Sequence, residues 1–299
     1  MNFGPRTSEQ DSFAILDCAA EAGVNFIDTA NQYGGNLGVG TTETILGRWI
    51  ANNKPKFDTM VLATKVHEPM SDDVNDRSLS ARHIQMACDA SLKRLGVEHI
   101  DLYQMHHIDR SAPIEEIWQA MDRLIQQGKI TYVGTSNFPG WGIAQANEKA
   151  IAQGRLGLIA EQGLYNLIER RAELEVIPVC QEYGLGLIPW SPLAGGLLAG
   201  KPQGDGRRSQ ARAIVSDKLQ QSLSQFEALA DELGLTPGNL ALAWLLSQPA
   251  VVSVISGPGT VAQFESMLHV PDIELDSATL SRLDEIFPPC GAAPEAYAW

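Results

Sequence analysis

Apolar, β-rich runs alternate with amphipathic segments along the whole chain, and this alternation restricts the fold more than any other feature. The strand-like runs are VNFID (24–28), MVLATK (60–65), IDLYQMH (100–106), ITYVGTS (130–136), GLIAEQ (157–162), GLGLIPWS (184–191) and VVSVISG (251–257). Helical periodicity predicts helices over 8–22, 42–52, 80–95, 114–127, 141–152, 171–182, 218–233, 237–246, 261–268 and 277–286. Strict alternation favours parallel strands joined by crossover helices. The runs are apolar on both parities, as strands covered on both faces require. The strands are fewer than the helices, and the chain opens almost directly on a helix. A closed (β/α)8 barrel, the TIM barrel, needs a strand before that helix, and MNFG (1–4) would supply its last few positions. The expectation is an α/β chain, 1–299, folded as a single (β/α)8 barrel domain that starts inside or just after its first strand. An open seven-stranded sheet is the alternative.

A chain of 299 residues, 44% hydrophobic, is long enough for a large core. No run of about 18 apolar residues suggests a membrane span, and MNFGPRTSEQD lacks the regions of a signal peptide. Cys18, Cys88, Cys180 and Cys290 form no C-x-x-C pair, which fits a reduced, cytoplasmic protein without structural zinc. The formal net charge of -14 argues against nucleic acid and anionic membranes as partners. An anionic ligand would need a local basic or amide-rich pocket against that background. The 197–217 segment, with Arg207, Arg208 and Arg212, reads as a long loop within the domain.

Polar residues stand where the strands end: Asp28, Lys65, His106, Ser136 with Asn137, Gln162, and Trp190 with Ser191. In a parallel barrel these ends open on one face, where catalytic groups sit. Lys65 ends a run that should be buried. A buried ammonium needs a partner, and Asp28 is the nearest candidate on the neighbouring strand. Each residue also has a simpler reading: Asp28 as a turn cap, Lys65 snorkelling to water. Tyr33, in the turn after Asp28, can fold over the mouth. A neighbouring ammonium is expected to lower the phenol's pKa and make it a better proton donor. His106 can hydrogen-bond at the same oxygen, although strand parity alone does not separate it from His107. A general acid without a nucleophile or metal cluster suits carbonyl reduction, in which hydride reaches carbon and a proton reaches oxygen. The hydride must come from a nicotinamide. Ser136, Asn137 and Gln162 suit a carboxamide, and Trp190 offers a face to a flat ring.

Seven motifs carry a resemblance over nearly the whole chain: FIDTANQYG (26–34), LATKV (62–66), DLYQMHHID (101–109), VGTSNF (133–138), EQGLYN (161–166), PWSPLAGGLLAGK (189–201) and ISGPGTVAQF (255–264). With these, in this order, the sequence resembles the aldo-keto reductase superfamily, most of all its bacterial branch with a PEAYAW-type tail (294–299). The resemblance implies a (β/α)8 reductase that uses NADPH, or NADH, on a small aldehyde or ketone. It assigns a catalytic tetrad to Asp28, Tyr33, Lys65 and His106, and the family register selects His106 over His107. It implies carboxamide ligands at Ser136, Asn137 and Gln162 and a stacking ring at Trp190. It also implies pyrophosphate contacts from the backbone of Ser191, Leu193 and Gly195 and from Lys201. Gly257, Gly259 and Gln263 would lie beside the adenosine.

Two features depart from the family pattern. Its N-terminal hairpin and most of its first strand have no counterpart, which reads as a late start codon or a truncated paralogue. Segment 255–266 has no Arg or Lys for a 2′-phosphate, leaving Arg207, Arg208 and Arg212 as candidate substitutes. GPGTVA (257–262) fits a dinucleotide-binding G-x-G-x-x-A pattern, but too little chain follows it for a Rossmann unit. Because some members of the superfamily are ion-channel subunits, an alternative reading is a catalytically weak, NADP(H)-binding redox-sensing or auxiliary subunit.

Overall fold

The structure is a computed structural model that describes residues 1–201, 213–291 and Ala296. Arg207, Arg208, Arg212 and all of the tail except Ala296 lie outside the described residues. By contacts the chain forms two compact units: Met1–Glu161 with Gly257–Ser266, and Gln162–Ser256 with Met267–Trp299.

The first unit alternates as the sequence predicts. Its elements are α1 (Glu9–Glu21), β1 (Phe26–Asp28), α2 (Thr41–Asn52), a one-turn α3 (Lys54–Phe57), β2 (Val61–Val66), α4 (Ala81–Leu95) and β3 (Ile100–Met105). There follow α5 (Ile114–Gln126), β4 (Ile130–Ser136), α6 (Gly140–Ile151) and β5 (Leu158–Gln162), whose last residue is the first of the second unit. The strands lie in the order β1-β2-β3-β4-β5, with parallel pairing along β1 to β4. Open doubly wound sheets reverse their strand order at a switch point, and this order runs without reversal, as successive barrel strands do. Helix starts follow capping chemistry. The Ser8 and Ser80 hydroxyls accept the Asp11 and His83 N–H groups at the heads of α1 and α4.

The register places the site. Asp28 pairs with Ala63, Lys65 with Gln104, and Gln104 with Gly134. In a pleated strand, residues two apart share a face, so Lys65, Gln104 and Ser136 point the same way. The expected strand end at 1–4 is instead a turn. Phe3 makes only an isolated bridge to Thr7, and the Arg6 and Thr7 N–H groups both donate to the Asn2 carbonyl.

The second unit holds α7 (Val176–Tyr183), β6 (Gly186–Leu187), α8 (Asp217–Glu232), α9 (Pro237–Leu246) and α11 (Ser277–Ile286). α10 (Val261–Glu265) belongs to the first. Two expectations shorten here for one reason. The predicted 184–191 and 251–257 strands reduce to β6 and two isolated parallel bridges, Leu187 to Val251 and Leu164 to Trp190. Pro189 accepts from Ile255 N–H at 2.9 Å but has no N–H to return, so the ladder toward the 251–257 segment stops there. The predicted 171–182 helix likewise splits into a 3-10 turn at Arg171–Glu173 and α7. Pro178 cannot donate to the preceding turn, so it tolerates only a helix that starts just before it. The unit's core gathers Phe226, Leu229, Leu240 and Trp244. Arg170 lies 5.1 Å from the Trp244 ring and is paired with Glu173 and Asp284.

Helices α2 and α4 meet backbone to backbone at Gly47, where a Cβ would lie 2.2 Å from the Arg94 carbonyl oxygen. One turn earlier, the fully buried Glu43 accepts from Arg94 Nε at 2.7 Å and from the Thr64 hydroxyl at 2.6 Å. Gly47→Ala is therefore expected to destabilise the protein by about 1–3 kcal/mol through overpacking, measured by urea unfolding. Unchanged stability would show that the two helices do not approach this closely.

Candidate active site

Asp28 is the last residue of β1 and Lys65 the penultimate residue of β2. Lys65 is fully buried, and its Nζ donates to Asp28 Oδ2 at 2.5 Å and to the Thr29 carbonyl at 2.9 Å. Gln104 Nε2 donates to the other Asp28 oxygen at 3.0 Å. The carboxylate thus has a charged donor on one oxygen and an amide donor on the other, as a buried ion requires. Gln104 was not among the sequence candidates. Its signal lay in the alternation of Leu102, Gln104 and His106, which puts an amide on the face carrying Lys65.

Tyr33 follows β1 in a turn closed by its N–H to the Ala30 carbonyl at 3.1 Å. Its ring centroid lies 5.1 Å from Lys65 Nζ and 5.7 Å from the His106 imidazole, edge to face. The four tetrad candidates therefore gather within the first unit. The expected electrostatics are corrected in one respect. Burial pushes the Tyr33 phenol above its ordinary pKa, and the Lys65 charge offsets this only in part. Tyr33 is thus held protonated rather than drawn toward phenolate. Burial also lowers His106, helped by the Lys65 charge and the neighbouring His107 and His67, to about 3. Its imidazole is neutral, and its Nδ1 is buried without a hydrogen-bond partner. His107 stacks on it, half exposed, with Nε2 3.1 Å from Glu68 Oε1. Trp141, also half exposed, lines a cleft of about 440 Å³ with Ile108 and Phe138.

Ser136 ends β4, one strand along, and Asn137 follows it. Asn137 has a left-handed backbone (φ 58°), and its Nδ2 donates to the His106 carbonyl at 3.1 Å and to Ser136 Oγ at 3.0 Å. Also in this unit, Asn2 Nδ2 donates to the Gly257 carbonyl at 2.5 Å, and Gln263 Oε1 accepts the Gly259 N–H at 2.8 Å. The Gln263 amide oxygen is thus spent on its own loop.

In the second unit, Gln162 is buried at the end of β5. The Trp190 backbone N–H donates to the Gly163 carbonyl at 2.9 Å, and the Ser191 carbonyl accepts from Asn166 Nδ2 at 3.0 Å. Ser191, Ala194, Gly195 and Gly196 all have positive φ (54°, 48°, 66° and 98°), with Leu193 between them. Loops that combine right- and left-handed residues turn successive N–H groups toward one concavity, a common anion site. A Cβ on Gly195 would meet nothing within 4 Å. Lys201, exposed, follows this segment. Within this loop the Ala194 N–H donates to the Ser191 carbonyl at 2.9 Å and the Gly196 N–H to the Leu193 carbonyl at 2.8 Å, so these two donors close the turn itself. The hydroxyl and amide groups of Ser136 and Asn137 match the donor and acceptor of a carboxamide.

The model of the Aldo/keto reductase family matches residues 1–287. An uncharacterized oxidoreductase, YrpG, of Bacillus subtilis (strain 168) is 46% identical over 306 residues, spanning 100% of this chain and 94% of that protein. A probable voltage-gated potassium channel subunit beta of Arabidopsis thaliana is 33% identical, over 99% of this chain and 93% of its own. Versiconal hemiacetal acetate reductase of Aspergillus parasiticus is 31% identical, over 96% and 90%. The fold of such proteins is the (β/α)8 barrel that the strand order indicates, and no helix among the described residues is long and apolar enough to cross a membrane. This chain belongs to the aldo/keto reductase family and is an NAD(P)H-dependent oxidoreductase.

Proposed function

We propose that residues 1–299 act as a single barrel domain that reduces an aldehyde or ketone to an alcohol, with Tyr33 as the general acid. The observation that carries this reading is the buried Lys65–Asp28–Gln104 cluster beside the half-buried Tyr33 and a neutral His106. When bound, NADPH, or NADH as the second choice, would be the source of the hydride for the carbonyl carbon. The Tyr33 hydroxyl delivers its proton to the carbonyl oxygen as negative charge develops there. Lys65 stabilises the phenolate left behind, and the neutral His106 helps orient the carbonyl oxygen by hydrogen bonding. Asp28 and Gln104 fix the Lys65 ammonium. Ser136, Asn137 and Gln162 are the proposed carboxamide ligands and Trp190 the stacking ring. Ser191, Leu193, Gly195 and Lys201 are assigned to the pyrophosphate, and Gly257, Gly259 and Gln263 to the adenosine end. The protein is proposed to work in the cytoplasm.

The relatives named as potassium channel subunits beta support a second reading, a weakly catalytic NADP(H)-binding subunit. The two readings part on turnover. NADPH oxidation that depends on added carbonyl supports the enzyme, and tight binding without such oxidation supports the subunit. Fluorescence titration is expected to give tighter binding of NADPH than of NADH.

In an active parent, Tyr33→Phe is expected to lower kcat by about 10²–10⁴-fold, the usual worth of a general acid, with the NADPH dissociation constant within about threefold of the parent. Full turnover by that variant would end the assignment. Lys65→Met is expected to lower kcat and also to destabilise the fold by about 3–5 kcal/mol, because Asp28 is left as an unpaired buried charge. Paired kinetic and urea-unfolding measurements check this. With Tyr33 raised and His106 lowered to about 3, neither changes charge between about pH 5 and pH 9. The kcat profile should therefore show no limb near His106's ordinary pKa. Such a limb, abolished by His106→Gln, would overturn the neutral imidazole.

A further inference from the structure

We propose that Glu161 is a positioning residue for the dinucleotide site: its carboxyl holds the turn at Ser136–Phe138 in the shape that presents Ser136 and Asn137. Glu161 lies on β5, 1% exposed, where an isolated carboxylate is costly. Strand alternation turns it away from the face that Gln162 takes. Its Oε1 accepts the Phe138 N–H at 3.2 Å, while Oε2 is buried without a hydrogen-bond partner. The groups acting on it are the Thr135 hydroxyl and the N–H groups of Phe138 and Asn137, none of them charged. Charge pairing therefore does not account for its presence in the core.

What Glu161 does hold is strained backbone. Asn137 is a non-glycine residue at φ 58°, a conformation that needs support from its surroundings. The chain on either side is fixed at both ends. Asn137 Nδ2 bonds the His106 carbonyl and Ser136 Oγ, and the backbone on its far side is anchored on Glu161. Removing the carboxyl strands buried N–H donors and frees the turn.

The same burial pushes the Glu161 carboxyl up to about 8, so the protonated form predominates below that pH. Its folded pKa is raised above the unfolded value of about 4.3. The folded state therefore binds the proton more tightly, and stability falls as pH rises from there through about 8. If ionisation disturbs the turn, dinucleotide affinity falls over the upper part of that window.

This inference rests on the carbonyl-reductase reading for its ligand, so the test includes measurements that need no ligand. The probes are NADPH titration by fluorescence, the urea midpoint of the protein without NADPH from about pH 6 to about pH 9, and hydrogen exchange at the Asn137 and Phe138 amides. Glu161→Gln keeps the volume and a neutral acceptor. It is expected to match the parent's NADPH affinity and amide protection at about pH 6 and to flatten the alkaline decline of both affinity and midpoint. Glu161→Leu is expected to weaken NADPH binding about tenfold and to speed exchange at the two amides. The proposal is overturned if Glu161→Gln keeps the parent's pH profile, or if a folded Glu161→Leu shows parent-like exchange. A parent that fails to bind NADPH refutes the cofactor reading. The exchange and midpoint data then still decide whether Glu161 holds the turn.

Discussion

The site depends on an ion pair kept away from water. Lys65 is fully buried and Asp28 nearly so, and a lone charge in either position would be driven toward its neutral form. Neither charge is alone. Asp28 has a donor on each oxygen, and Lys65 has a second acceptor in the Thr29 carbonyl. Buried pairs of this kind add little net stability over apolar side chains of the same size. Their use here is positional. The short strand β1 and its neighbour β2 are locked at their ends, and a fixed positive charge sits near the ring of Tyr33.

That charge does not act on Tyr33 unopposed. Burial favours the neutral phenol and outweighs the pull of Lys65 toward phenolate. For a general acid this balance is useful. The proton is held on Tyr33, and in the proposed reaction the ammonium would be in place when the phenolate forms. His106 is subject to the same two influences, but for an imidazole they act together, since burial and a neighbouring cation both disfavour protonation. Burial therefore keeps the proton on the phenol against Lys65 and, together with Lys65, keeps it off the imidazole.

A chain of net charge -14 that uses an anionic dinucleotide must present local positive potential without many free cations. The proposed source is the turn at Ser191 and Ala194–Gly196 with the exposed Lys201 after it, where the Ala194 and Gly196 N–H groups close the turn and fix its left-handed shape. Around Gln263 the logic is similar: an amide oxygen braces the Gly259 N–H, so the loop is shaped by neutral groups.

Much of this was written in the sequence. Alternating periods gave the order of strands and helices, and the polar residue ending each apolar run gave Asp28, Lys65, His106, Ser136 and Asn137, because those features depend on neighbours along the chain. Gln104 and the proposed role of Glu161 were not legible, although both residues stand inside strand motifs. Their roles depend on which strand lies alongside and in what register: Lys65 opposite Gln104, and Glu161 beneath the turn that follows β4. The direction of the Tyr33 shift was equally out of reach, since burial is a property of packing and not of spacing. The shortened strands were half visible, because Pro189 was known but its place opposite Ile255 was not. The sequence by itself determined which chemical groups are available and in what order they end the strands. Tertiary structure decided which of them meet and how dry they are, because hydrogen bonding and desolvation act through space over a few ångströms and are indifferent to distance along the chain.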